Sequence, residues 1–167
     1  MNDARGVANY FLDRARQRGM EVTSMTLLKV LYFAHGWHLA KYGCPLVAQP
    51  FEAWQHGPVN RVVYEQIKKW GAQPIRQRLQ AFDAIACGYV DATIDVDGEA
   101  AHFLNNIFDY YAPFHAFKLS DLTHEPGSPW DVIWQAAETK AVPGMTIPDS
   151  LIVEWFREEG QRVKRTQ

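Results

Sequence analysis

Between Met25 and Leu39 apolar residues occupy nearly every helical face, a pattern that a surface helix with a single apolar stripe cannot satisfy. Such a helix must be wrapped by other elements, so residues 23–42 are expected to form a buried central pillar. Thr23 is placed to cap its start, Val22 and Leu27 have the spacing of a hydrophobic staple, and Gly43 supplies the left-handed stop. Gly36 costs about 1 kcal/mol of helix propensity against alanine. A close helix crossing would explain it, and Gly36→Leu is expected to overpack that crossing at a cost on the order of 1–3 kcal/mol.

The remaining chain reads as helices divided by short punctuation. Residues 3–18 carry Val7, Ala8, Phe11, Leu12 and Ala15 at helical spacing and end at Gly19. Pro45, Pro50 and Gly57 mark a connection, with a short extended piece at Phe51 to Trp54. Gly57-Pro58 announces a helix capped at Gly57 or Asn60, with Val63, Ile67 and Trp70 on one stripe. Residues 72–96 are ambiguous, but 89–96 alternate as a strand does, leaving room for a small β-hairpin. Asp97 caps a helix with Phe103, Leu104, Ile107, Phe108 and Tyr111 on one face. Ser120 is expected to cap a short turn through His124, and Ser128-Pro129-Trp130-Asp131 to open a helix through Ala137. A last helix over 149–163 offers Ile152, Trp155 and Phe156 to the core, and its basic tail, Arg162, Lys164 and Arg165, is expected to fray. The expected fold is therefore mainly α: one compact domain over residues 1–167, with about six helices around the central one.

At 167 residues, 47% hydrophobic and 13% aromatic, the chain can build one core. A net charge of −2 gives no overall positive field for phosphate backbones, which argues against nucleic acid as the main partner. No apolar run resembles a secretory signal or a membrane span, so the cytoplasm is the expected location. Cys44 and Cys87, far apart and without a CxxC partner, suit a reducing compartment, each as a buried structural thiol.

His35 and His38 lie three apart on a helix, a permissible start for a metal site that His56 and His124 could in principle complete. No His-Glu-x-x-His pattern, cysteine cluster or close set of acidic ligands accompanies them, and the plainer reading is hydrogen bonding to backbone groups. Neither an activated-serine motif nor a glycine-rich phosphate loop is present. No catalytic residue, metal or cofactor is therefore assigned. Trp37, Trp54 and Trp130 read as core first and as protein-binding anchors second. Arg76 and Arg78, near Lys68 and Lys69, read as a solvated basic face.

Three motifs in order add more: Leu27-Leu28-Lys29-Val30-Leu31-Tyr32-Phe33-Ala34-His35-Gly36-Trp37-His38 with Gly43; Pro50-Phe51-Glu52-Ala53-Trp54-Gln55-His56-Gly57-Pro58-Val59 with Tyr64; and Leu122-Thr123-His124-Glu125 with Ser128-Pro129-Trp130. Together they resemble the Panacea domain family of SocA-like antitoxins and phage-associated proteins, over residues 22–137. The resemblance implies a bacterial antitoxin that neutralises a cognate protein toxin, encoded beside it, by direct contact and without catalysis. It also marks His35, Trp37, His38, Trp54, His56, Tyr64, His124, Glu125 and Trp130 as family-motif or protein-binding candidates. A homodimer stays open. Two rival readings stand beside this one: a metal-dependent hydrolase or nuclease using the histidines, and an adaptor that delivers a partner protein to a protease.

Overall fold

The computed structural model describes residues 1–165, with side chains through Arg162. The expected fraying of the basic tail bears on Lys164 and Arg165, whose side chains lie outside the described residues.

α1 (Ala4–Gln17) starts where the Asp3 carboxylate accepts from the Arg5 amide. α2 (Ser24–Tyr42) starts at Thr23, whose side chain accepts from the Thr26 amide, and stops at Gly43, where φ is 71°. β1 (Phe51–Trp54) and β2 (Gly57–Asn60) pair antiparallel, with Phe51 opposite Asn60 and Trp54 opposite Gly57. α3 (Arg61–Ile67) follows directly and tightens into a 3-10 turn, Lys68–Trp70. β3 (Gln80–Asp83) and β4 (Gly88–Asp91) form a second hairpin. α4 (Gly98–Tyr111) starts on the Asp97 side chain, α5 (Ala116–Thr123) follows, and α6 (Pro129–Thr139) starts where Ser128 accepts from the Asp131 amide. A 3-10 turn leads into β5 (Thr146–Ile147), which pairs antiparallel with β1, and α7 (Asp149–Arg165) closes the chain.

α2 is buried from Ser24 through Gly36 except for Met25, and again at Leu39, because it is enclosed by α7, α4, α1, α5, α3 and the first hairpin. Gly36 lies at the α2–α7 crossing, where a Cβ would fall on the Phe156 ring. The aromatic centre of the core is Phe33 stacked on Tyr111 at 4.1 Å between centroids, with Tyr32 and Phe156 set edge-on. Asn9, wholly buried, donates to the carbonyls of Leu79 and Ala92 and accepts from the Leu79 amide, which fastens α1 to the flanks of the second hairpin. Among the described residues no helix is long and apolar enough to cross a membrane.

The expectation of a mainly α domain of about six helices is corrected. Among the described residues there are seven α-helices and five strands in two small sheets, a mixed α/β arrangement. Gly57-Pro58 belongs to β2, the edge strand of the order β2-β1-β5, where a proline's missing N–H spoils no interior ladder. β5 is two residues long and depends on pairing with a strand almost a hundred positions earlier, so no local periodicity announces it. α5 is capped by His115 rather than Ser120, whose hydroxyl instead turns inward. Cys44 and Cys87 are both exposed, not buried. The basic cluster is paired: Arg76 with Glu21, Arg78 with Asp13 and Asp91, and Lys68 with Glu65.

Candidate binding site

The first hairpin is clasped by three side chains from three helices. The carbonyl of Trp54 accepts from Trp130 Nε1 on α6 at 2.7 Å, that of His56 from Ser120 Oγ on α5 at 3.0 Å, and that of Pro58 from Lys29 Nζ on α2 at 3.0 Å. His56 lies in the two-residue turn between the paired strands, and a backbone carbonyl taken from water needs a partner from elsewhere in the fold. Gly57, at φ 105°, makes room for the Lys29 and Thr123 side chains. A Cβ there would lie 2.8 Å from Lys29 Nζ and 2.6 Å from Thr123 Oγ1. Behind the clasp, Thr123 Oγ1 donates to Ser120 O and Ser128 Oγ to Thr123 O, tying the end of α5 to the start of α6.

Beside the hairpin opens a cavity of about 350 Å³, walled by Met25, Leu28, Lys29, Trp54, His56 and Tyr64. Trp54 and Tyr64 meet edge to face at 4.8 Å. Lys29 is only 1% exposed, and burial pushes its ammonium down to about 7. The His124 ring lies 3.9 Å from that of Trp130, and its Nε2 is buried with no hydrogen-bond partner among the described residues. Burial, with the nearby Lys29 charge adding to it, holds His124 below the usual histidine range.

A second, largely apolar cavity of about 590 Å³ lies between α2, α4 and α7. Trp37 lines it and donates to the Tyr111 hydroxyl at 2.8 Å. Tyr110, 64% exposed, stands on its wall with Trp155, and Glu125 lies at its α5 end. The last turn of α5 separates the two cavities: Leu122 and Glu125 border this one, whereas Thr123 and His124 adjoin Lys29 and Trp130.

Of the sequence candidates, Trp54, His56, Tyr64, His124 and Trp130 therefore gather around the hairpin, and Trp37 and Glu125 line the apolar groove. His35 and His38 join neither cluster. His35 is buried, accepts from the Val47 amide through Nδ1 and so offers its Nε2 proton to Asp149 at 3.0 Å. Burial lowers its pKa, while Asp149 opposes that shift. His38 Nδ1 lies 2.7 Å from the Cys44 carbonyl and must carry the proton there. His35 and His38 thus have separate partners, and among the described residues no three His, Cys, Asp or Glu side chains converge on a common point. Lys29 and Ser120 are not among the sequence candidates for binding, although Lys29 is the one Lys, Arg, Asp or Glu between Met25 and Leu39, a signal visible in the sequence.

The family model described as "Antitoxin SocA-like, Panacea domain" matches residues 27–131, a span that contains α3, α4 and α5, both hairpins and most of α2. The chain is 34% identical over 155 residues to a protein named Antitoxin SocA from Caulobacter vibrioides (strain NA1000 / CB15N), covering 93% of this chain and 82% of that protein. No solved structure matches. The middle motif supplies nearly all of the first hairpin, Lys29 and Trp130 of its clasp belong to the first and third motifs, Ser120 lies outside them but within the matched span, and the chain belongs to the SocA-like antitoxins of the Panacea domain family.

Proposed function

We propose that this protein is an antitoxin whose whole chain, residues 1–167, acts as one domain that neutralises a cognate protein toxin by direct contact and without catalysis. The observation that carries this reading is the similarity to Antitoxin SocA, which extends over 93% of the chain rather than over an isolated motif. The aromatic groove between α2, α4 and α7 suits the role. Trp37, Tyr110 and Trp155 offer large, stiff side chains around an apolar cavity, the residue types that dominate protein-binding hot spots. A stable contact of this kind removes about 1,200–2,000 Å² from water in total, which one face of a domain this size supplies. The toxin is the product of an adjacent gene.

The test is co-expression with that neighbouring gene. The neighbour alone should arrest growth, and this chain should restore growth and co-purify with it. Tyr110→Ala combined with Trp155→Ala should weaken capture at least tenfold while far-UV circular dichroism is unchanged. A harmless neighbour with nothing co-purified would overturn the reading. Rescue with a shortened toxin lifetime in cells would replace occlusion by delivery to a protease.

A further inference from the structure

Lys29 is the largest charged side chain among the fully buried residues, and the fold uses only part of it. An ammonium has three donors, and among the described residues this one makes a single hydrogen bond, to the carbonyl of Pro58. No carboxylate among the described residues forms an ion pair with it, whereas the neighbouring Lys68 pairs with Glu65. Removing an ammonium from water without a counter-charge is costly, and it is tolerated where a partner or a task compensates. Lys29 also forms part of the wall of the 350 Å³ cavity, whose volume falls at the small end of ligand pockets. Most of the remaining wall is apolar or aromatic, with Met25, Leu28, Trp54, Val59 and Tyr64, and Ser24, Gln55, His56 and Lys68 add polar groups. The site therefore joins a desolvated cation to a largely apolar sleeve.

We propose that this cavity captures a carboxylate of the toxin, an acidic side chain or the chain end, which enters along the wall formed by Trp54 and Tyr64 and pairs with the Lys29 ammonium. The inference rests on the reading of the protein as a toxin-binding antitoxin. Its chemistry is charge complementarity: the incoming carboxylate takes up a donor the fold leaves unused, and its stem replaces water along the aromatic wall. A hydrogen-bonded charge pair of this type is stronger when desolvated than at a rim, so it would govern dissociation more than encounter. Aspartate, glutamate and a terminal carboxylate share this chemistry, and the toxin variants below separate them.

The first arm of the test needs no toxin. Full-length protein with 13C-labelled lysine is titrated with 4-phenylbutyrate, and in parallel with 4-phenylbutyramide, its neutral isostere. Phenylbutyrate should shift the Lys29 Cε resonance saturably, and the amide should act at least tenfold more weakly. Trp54→Ala should weaken the phenylbutyrate response while the Lys29 signal itself stays visible. Equal responses to acid and amide, or no response to either, overturn the carboxylate site. The second arm uses the toxin. Lys29→Met is the variant of choice, because it removes the charge and keeps the length of the side chain; it leaves the Pro58 carbonyl without its donor, so retention of the fold is checked by far-UV circular dichroism. One acidic toxin residue changed to its amide, or an amidated toxin carboxy terminus, should weaken binding to the wild type at least tenfold and to Lys29→Met not at all. Additive effects at every acidic position overturn toxin capture at this cavity. Failure of the wild-type chain to bind or neutralise the toxin would sink the antitoxin reading itself, and the phenylbutyrate titration would still decide the chemistry of the cavity.

Discussion

Lys29 Nζ donates to the carbonyl of Pro58 across 3.0 Å, so a side chain of the central helix holds down the second strand of the hairpin that carries the middle family motif. The contact is buried on both sides, and its cost is electrostatic. Burial lowers Lys29 from 10.5 to about 7 in the folded protein, so between those values the unfolded chain binds the extra proton. Stability should therefore rise with pH across that window, by a total on the order of 5 kcal/mol at about 1.36 kcal/mol per unit. Tyr32 limits the useful range, because burial raises its hydroxyl pKa and reverses the slope above about pH 10. Urea unfolding between pH 7 and 9.5 should show the rise in the wild type and lose it in Lys29→Met. A wild-type slope that survives the substitution would assign the proton to another group.

Asn9 ties three backbone groups that are distant in sequence, the carbonyls of Leu79 and Ala92 and the Leu79 amide, all within 2.8 Å. Asn9→Ala leaves these groups buried without partners, a loss expected to cost about 2–4 kcal/mol. The damage should be local before it is global. Hydrogen exchange at the Leu79 amide should accelerate more than exchange in the middle of α2, and equal acceleration at both places would contradict the fastening role.

How legible each part was depended on how local its cause is. The central helix could be read because its apolar residues, its Thr23 cap and its Gly43 stop all lie within one stretch of chain. Asp97 and Ser128 were readable as caps for the same reason, each bonding an amide three residues on. Of the first sheet only β1 was readable, as the extended piece from Phe51 to Trp54, since its partner β5 is remote in sequence and Pro58 in an edge strand looks in sequence like a helix start. Of the candidate site, Trp54, His56, Tyr64, His124 and Trp130 came from family motifs and do gather at the hairpin, but the pairing that unites them is long-range. Ser120 looked like a cap because serine is a good one, whereas its hydroxyl reaches the carbonyl of His56, sixty-four positions away.

Gly36 and Phe156 mark where α2 and α7 come closest. Any Cβ at Gly36 would overlap the Phe156 ring, which also packs edge-on against Trp37 at 5.1 Å. Gly36→Ala gains helix propensity of about 1 kcal/mol yet must displace that ring, and overpacking of this kind typically costs 1–3 kcal/mol, so the net change should be destabilising. Adding Phe156→Leu should recover part of the lost melting temperature, because the smaller side chain relieves the overlap. A Gly36→Ala protein that melts at or above the wild-type temperature would show that α7 shifts at no cost.

His35 joins α2 to the first turn of α7 through Asp149, and its titration gives the link a pH dependence. Burial holds its folded pKa below 6.5, so on acidification the unfolded chain takes up the proton first and stability falls as pH drops through 6.5. His38 and His124 are lowered by burial too and add slopes of the same sign, so the difference between variants isolates His35. The Asp149 carboxylate is the one group that favours the charged imidazole. His38 opposes it, and the Val47 amide, which donates to Nδ1, holds the neutral ring in place. Asp149→Asn should therefore depress His35 further, while the side-chain amide oxygen still accepts from Nε2. Unfolding measured from pH 7.5 down to 5 should show a loss of stability that continues to lower pH in the variant, and histidine nitrogen shifts should show His35 neutral where the wild-type ring is already titrating. Identical titration of His35 in the two proteins would mean that the exposed carboxylate is screened by solvent and that burial alone sets the protonation of this residue.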